Sequence, residues 1–82
     1  MVTVAYSSSF EKTIRKMKDT QTKERIKNQI KKILVCPDIG KPMRYSRKDT
    51  REVYIPPFRL SYSYDARNDL LVFLSLYHKD DQ

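Results

Sequence analysis

Arg51-Glu52-Val53-Tyr54-Ile55-Pro56-Pro57-Phe58-Arg59-Leu60-Ser61-Tyr62-Ser63-Tyr64 is the stretch whose reading decides the fold. Glu52 to Ile55 has the β-branched and aromatic content of a strand. Pro56-Pro57 cannot donate to a ladder and marks a bend or hairpin loop. From Phe58 onward the residues alternate. Phe58, Leu60, Tyr62 and Tyr64 face one side, and Arg59, Ser61 and Ser63 face the other. Tyr62 and Tyr64 share parity with Phe58 and Leu60, so they read as core rather than as bases' stacking partners. Asp65-Ala66-Arg67-Asn68-Asp69 is a hairpin loop. It leads into Leu70 to Tyr77, apolar on both parities, as expected of a central strand covered on both faces. On the other side, Arg44-Tyr45-Ser46 is a further short strand candidate, bounded by Lys41-Pro42 and Lys48-Asp49.

Further upstream the period changes. Val2-Thr3-Val4-Ala5-Tyr6 reads as a first strand. Ser8 with Glu11 has the form of a capping box and predicts a helix start there. Phe10, Ile14 and Met17 then share one face, with Lys12, Arg15, Lys16 and Lys18 on the others. Asp19-Thr20-Gln21-Thr22 interrupts that pattern and can cap a second helix, whose Ile26, Ile30, Ile33 and Leu34 form an apolar stripe. Cys36-Pro37 ends it, because proline disfavours the α conformation in the residue before it. The fold class is therefore α+β: an N-terminal strand and a helix hairpin packed on a mostly antiparallel sheet of four to five strands.

Composition narrows the function. The 82 residues make a single domain, residues 1–82, with one cysteine and hence no internal disulfide. No Cys/His cluster has zinc-site spacing, and no metal or other cofactor is expected. Cys36, beside Ile33, Leu34 and Val35, reads as a small buried hydrophobe in a reducing compartment. Nothing resembles a signal peptide or a membrane span, so a cytoplasmic protein is expected. The net charge is +7, and residues 1–36 carry nine basic groups against three acidic ones. Such a bias suits a phosphate backbone or an acidic protein partner. Arg59 points away from the apolar row of its own strand, and Arg44, Arg51 and Tyr54 on neighbouring strands can join it. Cations with a stackable aromatic suit single-stranded RNA. Lys27, Lys31 and Lys32 on the second helix, with Lys41 and Arg47 beyond it, extend the candidate binding surface.

The Arg51–Tyr62 stretch, followed by an apolar strand ending Leu76-Tyr77-His78-Lys79, resembles the RelE/ParE superfamily of toxins. Those proteins carry an R-E-x-x-x-x-x-Y-R-[LV]-x-Y strand pair and end the last strand with a [GH]-[HK]-[RK] turn. Gly40-Lys41-Pro42 also resembles the loop before the family's sheet. The resemblance implies a type II toxin neutralised by a cognate, RelB-like antitoxin. Its RelE branch implies cleavage of mRNA in the ribosomal A site, and its ParE branch poisoning of DNA gyrase. A degenerate member would only pair with its antitoxin. Arg59 matches the arginine that stabilises the transferring phosphate in ribosome-dependent ribonucleases. Lys79 matches the basic residue after the last strand, and His78 stands where many members have His or Lys. Glu52 occupies a position that often holds a catalytic lysine, and the tyrosine that RelE-type enzymes carry a few residues further on has no counterpart before Gln82.

The chemistry is coherent with those residues. RNA cleavage by its own 2′-OH needs a proton acceptor, a cation at the phosphorane oxygens and a donor for the leaving 5′-oxygen. Arg59 offers a rigid fork for phosphate. His78 is the residue type that exchanges protons near neutrality, and Lys79 can neutralise developing charge.

Overall fold

The first helix is capped one residue earlier than the capping-box pattern predicts. The structure, a computed structural model describing residues 2–42 and 50–78, puts strand β1 at Thr3–Tyr6 and helix α1 at Ser8–Lys16, with Ser7 as the cap. The Ser7 hydroxyl accepts from the Phe10 N–H at 3.1 Å and donates to the Leu74 carbonyl. Ser7 wins over Ser8 because this one hydroxyl serves both a helix end and a strand irregularity. Helix α2 spans Thr20–Val35 and is capped by Asp19, as the sequence predicts. The Asp19 carboxylate accepts from Thr22 Oγ1 at 2.6 Å and from the Gln21 N–H at 3.1 Å. The Thr22 bonds, foremost among the causes, hold its carboxyl below the usual aspartate range.

After a 3₁₀ turn at Pro37–Ile39 come β2 (Lys41–Pro42), β3 (Thr50–Ile55), β4 (Phe58–Asp65) and β5 (Leu70–His78). The strand candidate at Arg44-Tyr45-Ser46 lies outside the described residues. The sheet order is β1-β5-β4-β3-β2, with β1 parallel to β5 and the other pairs antiparallel. The expected α+β architecture is thus present, with five strands. Phe10 of α1 and Ile26 and Ile33 of α2 are buried with Ile55, Leu60, Tyr62, Leu71, Phe73 and Leu76 of the sheet. Tyr6, Phe10 and Phe73 stack with ring centroids 5.4–5.7 Å apart. Each fully buried aliphatic or aromatic side chain of this kind contributes about 1.5–3 kcal/mol.

The two-parity apolar content of β5 has a different cause from the expected one. Ser61 pairs with Ser75, and the next residue, Tyr62, pairs with Phe73, so Leu74 is an extra residue in the ladder. This bulge switches the helix-facing set from Leu71 and Phe73 to Leu76. Leu70 and Val72, on the other parity, are only partly buried. Both parities are apolar because the inward parity changes midway. Cys36 is also corrected: it is exposed, since α2 ends at Val35 and Cys36, its C-cap, has a non-helical backbone that leaves the apolar stripe.

Ser7→Ala should lower stability by about 1–2 kcal/mol, the usual cost of a lost N-cap. A urea titration should show a lower midpoint with an unchanged slope. An unmoved midpoint would show that Ser7 does not tie α1 to the bulge.

Candidate RNA-binding and catalytic face

Cross-strand partners share a face, so the register lays out the surface away from the helices. Tyr54 of β3, Arg59 of β4 and Tyr77 of β5 form one row across the sheet. Lys41 of β2, Glu52, Ser61 and Ser75 form the next. The β3–β4 connection is only Pro56-Pro57, which brings Tyr54 opposite Arg59 immediately beyond the turn.

Glu52 joins the rows. Its Oε1 accepts from the Arg59 guanidinium at 3.1 Å, and its Oε2 accepts from the Tyr77 hydroxyl. The Arg59 guanidinium also lies 6.0 Å from the centre of the Tyr54 ring, within cation–π range. Arg59 and Glu52 side chains are 31% and 23% exposed, enough burial to fix them and enough exposure to meet a ligand. Ile39, Lys41, Glu52, Val53, Tyr54 and Arg59 line a cleft of about 440 Å³. With two cations and one carboxylate, its floor carries a net positive charge. A fixed guanidinium beside a carboxylate and an exposed aromatic ring can hold a phosphate, exchange a proton and stack a base.

The structure brings together Arg59, Tyr54 and Lys41 from the expected set. Arg51 is placed elsewhere. It pairs with Tyr62 across the ladder, on the helix-facing side, and its guanidinium donates to the carbonyls of Gly40 at 2.7 Å and Asp38 at 3.1 Å. The Asp38 carboxylate completes the clamp as an ion-pair partner at 3.5 Å. Arg51 therefore fastens the 3₁₀ turn. His78 pairs with Phe58 whereas Arg59 pairs with Tyr77, so His78 and Arg59 lie on opposite faces. The His78 ring packs edge-on against Phe58 at 5.6 Å. Lys79, Arg44 and Arg47 lie outside the described residues. Lys27, Lys31 and Lys32 are exposed on α2, in the helical layer behind the sheet. Lys31 and Lys32 line an apolar concavity of about 450 Å³ with Val35, Cys36 and Ile39. Ile39 borders both concavities, so one surface runs from the basic helix to the Arg59 cleft.

The sequence reading missed Tyr77 and gave Glu52 no role. Alternation back from His78 carries a signal for Tyr77, since it shares the face of Arg59. Nothing in the sequence tells that Glu52 spans two strands to reach it.

This face sits on a sheet and helix hairpin shared with toxins of known structure. The family model for the ParE toxin of type II toxin-antitoxin systems, parDE, matches residues 4–82. The chain belongs to this family, and by family it is a toxin of a type II toxin–antitoxin system. No curated protein matches it in sequence. Its fold is similar to that of the toxin in the intact E. coli RelBE toxin-antitoxin complex, at 18% identity and TM-score 0.82, covering 95% of this chain and 96% of that one. The isolated E. coli RelE toxin is similar at 17% identity and TM-score 0.81, over 95% and 84% of the two chains. The RelB-RelE antitoxin-toxin complex of Methanococcus jannaschii matches at 12% identity and TM-score 0.74, over 93% and 91%.

Proposed function

We propose that this toxin is a ribosome-dependent endoribonuclease that cuts mRNA in the A site, inhibits translation in the cytoplasm and is restrained by a RelB-like antitoxin. The observation that carries this reading is Arg59, partly buried on the open sheet face beside the stackable Tyr54, in a cleft that the cationic Lys41 also lines. The nucleophile is the 2′-OH of the RNA itself, so the reaction needs no cofactor. Arg59 places its remaining donors on the phosphate oxygens, where charge builds in the transition state. Lys79, next in sequence after β5, supplies further positive charge. Proton transfer by His78 is the part of the sequence reading that the geometry supports least, because its ring faces Phe58.

The fold's similarity to RelE in complexes with RelB supports an antitoxin partner. An acidic amphipathic segment would suit the strip where Val35 is 87% exposed and Lys31 and Lys32 stand beside it. Occupying that strip would also cover the basic helix that meets the ribosome, so binding and inhibition are linked.

The test is direct: purified toxin is added to ribosomes programmed with a short mRNA, and to the same mRNA alone. Cleavage at the A-site codon on ribosomes only is expected, and equal or absent cleavage in both would overturn the reading. Converting Lys27, Lys31 and Lys32 together to Gln should weaken ribosome binding and reduce its dependence on salt, by about one slope unit for each phosphate no longer neutralised. An unchanged salt slope would remove the helix from the interface. A gyrase inhibitor is the second reading. The Arg59–Glu52 ion pair favours it, since a face that only binds protein has no need of an uncommitted arginine.

A further inference from the structure

We infer that Glu52 is the proton acceptor of the cleavage step, oriented by Tyr77 and Arg59, with Lys41 supplying the proton to the leaving group. This assignment rests on the ribonuclease reading above.

Cleavage by a 2′-OH needs a group to take its proton within reach of the cation that holds the phosphate. On the described part of the open face, two carboxylates share the parity of Arg59. Asp65, at the far end of β4, is occupied in the hairpin loop, accepting from the Arg67 N–H at 3.0 Å and from Asn68 Nδ2 at 2.7 Å. Glu52 lies in the cleft, 3.1 Å from Arg59. Each of its two oxygens is held by a different strand: Oε1 by Arg59 of β4, Oε2 by Tyr77 of β5. A carboxylate fixed at both ends by rigid strands is preorganised, and each oxygen keeps a second lone pair for a substrate proton. The guanidinium has five N–H donors, so bonding to Glu52 leaves others for phosphate. A phosphate seated there therefore brings its neighbouring 2′-OH to the carboxylate. Lys41, the ladder partner of Glu52, stands on the edge side of the same cleft.

The step balances without a co-reactant. The 2′-oxygen bonds to the adjacent phosphorus as the phosphorus–5′-oxygen bond breaks. The 2′-proton passes to Glu52, and the 5′-oxygen takes one from Lys41. The products are a 2′,3′-cyclic phosphate and a 5′-hydroxyl end, and exchange with solvent restores both side chains.

A different role for Glu52 has the opposite signature. If it only neutralises Arg59, its removal frees the guanidinium and cleavage stays level or accelerates. The experiment is single-turnover cleavage of mRNA on programmed ribosomes, followed across pH, with ribosome affinity measured in parallel. Glu52→Gln keeps the shape and can still meet Tyr77. Its rate should fall by about a hundredfold or more, the usual contribution of a general base. If Glu52 is the proton acceptor, the variant's profile should also lose the acid limb that general-base catalysis gives the parent. The groups facing Glu52 are Lys41 from β2, Arg59 and Ser61 from β4, Tyr77 from β5 and Tyr54 on its own strand. Tyr77→Phe should slow cleavage by about tenfold while retaining the acid limb, as expected of a positioning residue. Cyclic-phosphate ends should appear on the 5′ fragment. If the parent cuts and Glu52→Gln cuts equally well with the same pH profile, the Glu52 assignment is wrong while the ribonuclease reading stands. If the parent cuts nothing on ribosomes, both fall.

Discussion

Arg59→Ala should reduce single-turnover cleavage of ribosome-bound mRNA by at least about a hundredfold while leaving ribosome affinity within a few-fold of the parent. The magnitude follows from the loss of one preorganised donor at a charged transition state, on the order of 3 kcal/mol. Affinity should be spared because the proposed ribosome contacts of the exposed α2 lysines do not involve Arg59, whose guanidinium is held at one place by Glu52 and Tyr54. Arg59→Lys keeps the charge but loses the fork, so it should recover only part of the rate. Structural damage should be modest, because the pair is partly open to water and the Glu52 carboxylate keeps its bond from Tyr77 when Arg59 is removed. Quenched time courses with end-labelled mRNA measure the effect. Parental rates in both variants would mean that the proposed active face does no chemistry.

Tyr62→Ala should be the most damaging single change to stability. Its side chain is fully buried, and its ring lies 6.2 Å from that of Phe73. Its hydroxyl donates to the Pro37 carbonyl at 2.7 Å and accepts from the Gly40 N–H at 3.0 Å. Burial, the leading cause, pushes the phenol above its ordinary range, so it stays protonated and able to donate. Truncating a buried aromatic side chain costs about 3–5 kcal/mol, and the two backbone groups lose their partner as well. Against a total stability of about 5–15 kcal/mol, that is much of the margin. Thermal melting should fall by about 15 °C or more, since each kcal/mol shifts a domain of this size by about 4–8 °C. Tyr62→Phe removes only the hydroxyl and should cost about 1–3 kcal/mol. The same packing explains why glycine stands at 40: a Cβ there would lie 2.6 Å from the Tyr62 oxygen. The anchor matters to the site because it sets where Lys41, the next residue, enters the cleft. A parental melting curve for Tyr62→Ala would contradict it.

The parts of the fold that the sequence discloses are those governed by local period. The Phe58–Tyr64 alternation, the apolar stripe of α2 and the Asp19 cap all follow from residue spacing, and each is found in place. What spacing alone cannot disclose is pairing. The bulge at Leu74 depends on how β5 registers against β4, and it converts an apparent two-sided strand into one whose inward side switches. Register also decides the site. The assignment of Arg59 to the open face needs only its own strand, but the separation of His78 from Arg59 depends on each residue's partner in the neighbouring strand. Arg51 shows the same limit: its charge suggests a ligand-binding role, while tertiary packing uses it to hold the Asp38 and Gly40 carbonyls. Cys36 reads as buried because of its apolar neighbours Ile33 and Leu34, although the helix ends just before it.

The most direct measurement of the central claim is the mapping of mRNA 5′ ends in cells after the toxin is induced without its antitoxin. Cuts in phase with codons, confined to translated messages and abolished in Arg59→Ala, are the predicted result. Intact messages accompanied by broken chromosomal DNA would contradict it and favour gyrase as the target.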